Sequence, residues 1–71
     1  MPPTPKLNRY LHDARIKRRL TVAQLADLAG VSQASIYFWE SGRVRPRDAN
    51  LSVLCKILKL PIRKTKELAA D

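Results

Sequence analysis

The sequence predicts an all-α domain, and three observations carry that prediction. Apolar residues recur three and four apart in stretches from Leu7 to Leu58, capping residues stand just ahead of the stretches, and glycine or proline follows several of them. No segment alternates apolar and polar residues as a half-buried strand does, and there is no repeat or low-complexity tract.

Residues 1–4 form a proline-containing segment expected to be a flexible N-terminal arm, with a single domain expected over residues 5–71. Thr4 can cap a first helix whose first position is Pro5, because the fixed φ of proline suits a first turn. Leu7, Tyr10, Leu11 and Ala14 give that helix an apolar stripe at i, i+3, i+4 and i+7, running to about Lys17. Thr21 and Gln24 have the spacing of a capping box for a second helix, with Leu25, Ala26 and Leu28 as its expected buried positions. Gly30 closes it for two expected reasons. A residue past a helix end often takes positive φ, and a side chain there would obstruct two crossing helices.

Ser32 caps a third helix, which Gly42 stops after Glu40 and Ser41 with a second left-handed residue. Pro46 limits helix before it, so a loop is expected from Gly42 to Arg47. Leu51, Leu54, Cys55 and Leu58 form the stripe of a fourth helix. Pro61 ends that pattern and opens a short fifth helix, Ile62 to about Ala69, with a weaker apolar stripe.

A chain of 71 residues holds one small domain that buries only about 60% of its unfolded surface. Fourteen Lys and Arg against six Asp and Glu give a net charge of +8, so polyanions are attracted through counterion release. The lone Cys55 cannot form an internal disulfide, and no Cys–His spacing suits zinc, so a reduced, metal-free, cytoplasmic protein is expected. No cofactor or small-molecule ligand is implied. A membrane span would need about 20 consecutive apolar residues, and neither that nor a signal peptide is present. Catalysis is disfavoured too: no nucleophile has a candidate base and orienting partner, and no glycine-rich loop could cradle phosphate.

Between Thr21 and Glu40 two short amphipathic patterns flank one tight turn, Ala29-Gly30-Val31, which is the layout of a helix-turn-helix that reads a nucleic-acid groove. At about 100° per residue, Ser32, Ile36, Trp39 and Glu40 gather on one side of the third helix. Ile36 and Trp39 are therefore core. Gln33, Ala34, Tyr37 and Phe38 form the outward set that a groove would meet. Gln33 can bond an adenine edge through its paired donor and acceptor. Ala34 and Phe38 make poor solvated surface; thymine methyl contact, packing on a protein partner, or mere tolerance would each account for them.

Phosphates have two candidate grips. One is the N-terminus of the second helix near Thr21 and Val22, where backbone N–H groups and a positive dipole end lie. The other is the loop carrying Arg43, Arg45 and Arg47, for which a solvated loop that only keeps the protein soluble is the alternative. Lys17, Arg18 and Arg19 suit the C-terminal dipole of the first helix. His12 reads as a surface residue and Cys55 as a small core residue.

These residues resemble the Cro/cI-type helix-turn-helix family, the phage repressors and their bacterial relatives, over about Leu7 to Ile62. The resemblance rests on Arg15, Leu20-Thr21, Gln24-Leu25-Ala26, Ala29-Gly30-Val31-Ser32, Ile36, Trp39-Glu40, Gly42 and Pro46. It implies a compact five-helix, lambda-repressor-like domain whose second and third helices form the motif, with the third in the major groove of double-stranded DNA. Base contacts would fall to Gln33, Ala34, Tyr37 and Phe38. Phosphate contacts would fall to Thr21, Val22, Ser32, Ser35, Arg43 and Arg45. The family pattern also pairs an arginine of the first helix with the glutamate after the third, which here implies an ion pair between Arg15 and Glu40.

Several positions depart from the pattern. Phe38 stands where relatives often carry a polar, base-bonding residue, and Val22 lacks the polar side chain many of them place there. Arg47 occupies a usual Ser or Thr cap position, and Asp48 is expected to cap the fourth helix instead. The segment RKTKEL after Ile62 lacks the usual apolar residues.

The expected function is a DNA-binding transcriptional regulator, with repression by operator occupancy the default for a chain with no room for a ligand or activation domain. A homodimer on a two-fold operator is expected, because one domain reads few base pairs. Ile62, Thr65 and Leu68 are its expected contact residues. The competing reading is a protein-interaction or antitoxin-like module using the apolar outward face of the third helix, or the fifth helix. Recognition of duplex RNA is disfavoured, since a helix cannot read its deep, narrow groove.

Overall fold

The computed structural model describes residues 6–70. Five helices follow one another: α1 (Leu7–Lys17), α2 (Val22–Ala29), α3 (Gln33–Ser41), α4 (Asp48–Leu58) and α5 (Ile62–Ala70). There is no strand among the described residues, and no helix there is long and apolar enough to cross a membrane.

The helix starts divide into two kinds. At α2 the amide of Gln24 donates to the Thr21 hydroxyl at 3.0 Å and the Thr21 amide to the Gln24 side chain at 2.8 Å, completing the capping box. At α3 the amide of Ser35 donates to the Ser32 hydroxyl at 3.1 Å. The caps of α1 and α4 are Lys6 and Arg47, both extended and without a side-chain cap bond.

Two expected boundaries are therefore corrected. The proposed cap Thr4, the proposed first position Pro5 and the 1–4 arm lie outside the described residues; α1 starts at Leu7, because Lys6 is extended and Leu7 is the first of the described side chains to reach the core. Asp48 is not the cap of α4 but its first helical residue, where its charge complements the positive end of the helix dipole.

The helix ends share one device. Arg19, Gly30, Gly42 and Lys59 all take positive φ, at 57°, 70°, 81° and 54°. In each case the next residue's amide bonds back five positions: Leu20 to Arg15, Val31 to Ala26, Arg43 to Phe38 and Leu60 to Cys55, at 2.9–3.2 Å. This is the Schellman arrangement, and Leu20, Val31 and Leu60 add its apolar contact by packing against the core. Gly30 meets only one of the two reasons expected of it. A Cβ there would find nothing within 4 Å, so its left-handed φ favours glycine and helix crossing does not require it.

The core is assembled from all of the first four helices: Leu7 and Leu11 of α1, Leu25 and Ala26 of α2, Ile36 and Trp39 of α3, and Leu51, Leu54 and Leu58 of α4. Cys55 is buried beside it. Leu28 was expected there and is 59% exposed. The inward stripe of α2 is Val22, Leu25, Ala26 and Ala29, and Leu28 lies roughly a third of a turn from its centre.

α5 closes the domain against α4 and α1. Thr65 is 0% exposed, with its hydroxyl donating to the Pro61 carbonyl at 2.8 Å. Leu68 is half-buried against the core. The expected dimer contact is thereby corrected at Thr65, which faces inward because the packing of Leu68 and Ala69 on the core turns its side of α5 inward, where its hydroxyl is satisfied locally. Of the three residues only Ile62 is exposed.

Candidate nucleic-acid interface

A short helix presents its side chains usefully only if its own orientation is fixed, and here one arginine does much of that work. Arg15 of α1 is buried and donates through Nε to Glu40 Oε2 at 2.7 Å and through Nη2 to Glu40 Oε1 at 2.9 Å. Its Nη1 donates to the Leu20 carbonyl at 2.9 Å. The fork thus ties α1 to the end of α3 and to the turn before α2. Hydrogen bonding to Glu40, opposed by burial and aided by its charge, raises the Arg15 pKa above the usual arginine value, so the guanidinium stays charged. Asn8 adds a second link from α1, donating to the Glu40 carbonyl at 3.4 Å.

With Ile36 and Trp39 held in the core, the opposite side of α3 faces outward. Gln33 and Ala34 are exposed, Tyr37 is 57% exposed and Phe38 43%. These four side chains share one open surface of a single helix. Ser32 and Ser35 lie at the start of the same helix with their hydroxyls 3.0 Å apart, Ser32 serving as the cap. Thr21 is exposed at the start of α2 but its hydroxyl is committed to the Gln24 amide, and Val22 is half-buried against the core. What α2 offers an anion is therefore chiefly backbone and dipole.

The arginines of the loop after α3 separate. Arg43 is exposed, whereas Arg45 donates through Nη1 to the carbonyl of Ala69 near the end of α5. The run ending α1 also has a structural use that the sequence did not reveal. Arg18 donates to the Leu58 carbonyl at 3.2 Å, covering the last turn of α4 rather than its own helix. A contact between segments 40 residues apart leaves no local signature.

Among the described residues no group of His, Cys, Asp or Glu is arranged to hold a metal ion. A cleft of about 320 Å³ opens between the start of α1 and the loop after α3, lined by Lys6, Asn8, Trp39, Val44, Arg45 and Pro46 among others.

Two helices joined by a left-handed glycine turn, the second fixed by a buried arginine fork and presenting an unpartnered face, define a helix-turn-helix DNA-binding regulator. The helix-turn-helix family model matches residues 11–64, and the chain belongs to that family, of the Cro/cI type. The fold is shared with a solved structure of SinR, described as the master regulator for biofilm formation and solved in complex with DNA. The TM-score is 0.77 at 16% identity, covering 84% of this chain and 97% of that one. No curated protein sequence matches the chain significantly.

Proposed function

We propose that this chain is a sequence-specific regulator that represses transcription by occupying an operator, inserting α3 into the major groove. The observation that carries the reading is the outward face of α3, where Gln33, Ala34, Tyr37 and Phe38 are exposed together on a helix whose opposite face is locked into the core. Gln33 reads adenine through its amide, and Tyr37 offers a hydroxyl at the flank. Thr21, Val22, Ser32 and Ser35 lie at the two helix starts that meet the flanking phosphates. Arg43 grips the backbone directly, and Arg45 does so after sharing or leaving its contact with Ala69. That SinR, a protein of the same fold, was solved in complex with DNA supports DNA as the ligand.

Two copies act on a two-fold site with half-sites about one helical turn apart, since a single α3 spans too few base pairs for selectivity in a genome. The test is selection of tight binders from a random duplex pool at near-physiological salt. Recovery of an inverted repeat is the expected result. Duplex binding at low salt with no enriched sequence would overturn the reading in favour of a protein-binding module using the same face of α3.

A further inference from the structure

We infer that Ala34 and Phe38 form a binding site for the 5-methyl group of a pyrimidine, so that the protein accepts thymine and 5-methylcytosine and disfavours uracil and unmodified cytosine at the same position. The inference rests on the proposed docking of α3 in the major groove and adds the chemistry of one of its contacts.

Ala34 and Phe38 are four residues apart and so lie one above the other on the outward face. Neither side chain can donate or accept a hydrogen bond. Set against the amino group of cytosine or adenine, they would strip that group of water and return nothing, which is unfavourable. The one apolar feature that a base pair shows in the major groove is the methyl at C5 of thymine, and 5-methylcytosine carries the same group in the same place.

The phenyl ring also stands on a fixed base. The Phe38 carbonyl accepts from the Ser41 hydroxyl at 3.2 Å, the Arg43 amide at 3.0 Å and the Val44 amide at 3.3 Å. With the Gly42 amide as a fourth donor to the same carbonyl, these bonds hold the last turn of α3 and place the ring's attachment point, so little backbone ordering remains to be done on binding. The setting favours a polyanion over a basic or uncharged protein partner for this strip, because exposed Arg43 lies five residues on and the whole chain carries +8.

The experiment uses the tightest duplex from the selection and the intact protein. Each thymine is replaced in turn by uracil, and the critical T·A pair is replaced by C·G and by 5-methyl-C·G. Uracil at one or two positions per half-site is expected to weaken binding about fourfold, the worth of one buried methyl. At the same position 5-methyl-C·G should bind about fourfold tighter than C·G. Both differences should vanish in Phe38→Ala, with Phe38→Leu retaining part of them. An enriched duplex indifferent to uracil everywhere, or a uracil effect unchanged in Phe38→Ala, would overturn the inference while leaving operator binding intact. Failure to enrich any duplex would remove the docking itself.

Discussion

Arg15 makes three charge-assisted or carbonyl-directed hydrogen bonds from a buried position, so the outcome of removing its partner follows from what is left behind. Glu40→Ala strands the guanidinium of an Arg15 side chain that is only 10% exposed, and is expected to cost about 3 kcal/mol. For a domain of this size that lowers the melting temperature by roughly 12–24 °C. Replacing both partners by apolar residues, Arg15→Met with Glu40→Leu, should recover most of the loss, since desolvating the pair is itself costly. Thermal melts of the single and double variants measure this directly. Because the Arg15 pKa is raised, its contribution is complete below the ordinary arginine value and is lost only as pH climbs through the raised one. Stability should therefore not vary on its account across the neutral range. Arg43 is the opposite kind of residue, exposed and proposed as a phosphate contact. Arg43→Ala is expected to weaken binding to all sequences alike and to reduce the slope of log K against log salt by about 0.9 per protomer, read by titrations at several salt concentrations. At this scale the sequence was legible where periodicity decides, as at Ile36, Trp39 and Leu54, and failed where a helix has competing stripes. Leu28 was expected to be buried and Thr65 to lie on a dimer contact with Ile62 and Leu68; the rotation of each helix against its neighbours settled both otherwise.

At the scale of the helix, starts and stops show unequal legibility for a physical reason. Ser32 and the Thr21–Gln24 pair announce α2 and α3 because their side chains make the capping bonds. Lys6 and Arg47 announce nothing, as their helices are opened by backbone conformation alone. The same divide runs through the stops: Gly30 and Gly42 are visible, whereas Arg19 and Lys59 adopt the same left-handed φ with side chains that ordinarily avoid it. Lys59→Gly relieves that conformation and is expected to gain about 0.5 kcal/mol after the greater freedom of glycine in the unfolded chain is set against it. Gly30→Ala imposes the penalty instead, about 1 kcal/mol, and no more, because its Cβ would meet open space. Gly42→Ala should cost at least as much as Gly30→Ala, since its φ is equally left-handed and its Cβ would meet the Asn8 side chain at an ordinary contact distance of 3.4 Å. Denaturant midpoints of the three variants rank these effects, and a Gly30→Ala loss well beyond that of Gly42→Ala would contradict the open space beside Gly30.

For the whole molecule the deciding quantity is charge against apolar surface. The face of α4 and α5 that remains open carries Val53 and Ile62, both exposed, but Lys56, Arg63 and Lys66 are exposed with them. A two-fold contact through this face would bring like charges together within roughly one Debye length at about 0.1 M salt. The net charge of +8 adds a further repulsion between any two copies. On the proposed two-fold operator this balance would reverse, because DNA phosphates would neutralise both protomers. The protein is therefore expected to be monomeric when free at about 0.05 M salt, to self-associate weakly as salt rises to about 0.5 M, and to pair on an operator at low salt, where DNA binding is tightest. Sedimentation equilibrium at the two salt concentrations, with and without a two-site duplex, reads all three states. A free dimer that dissociates as salt is raised would instead mean that ion pairs hold the copies together, which would place the contact on a surface where Asp or Glu meets the arginines and not on the lysine-bordered face of α4 and α5.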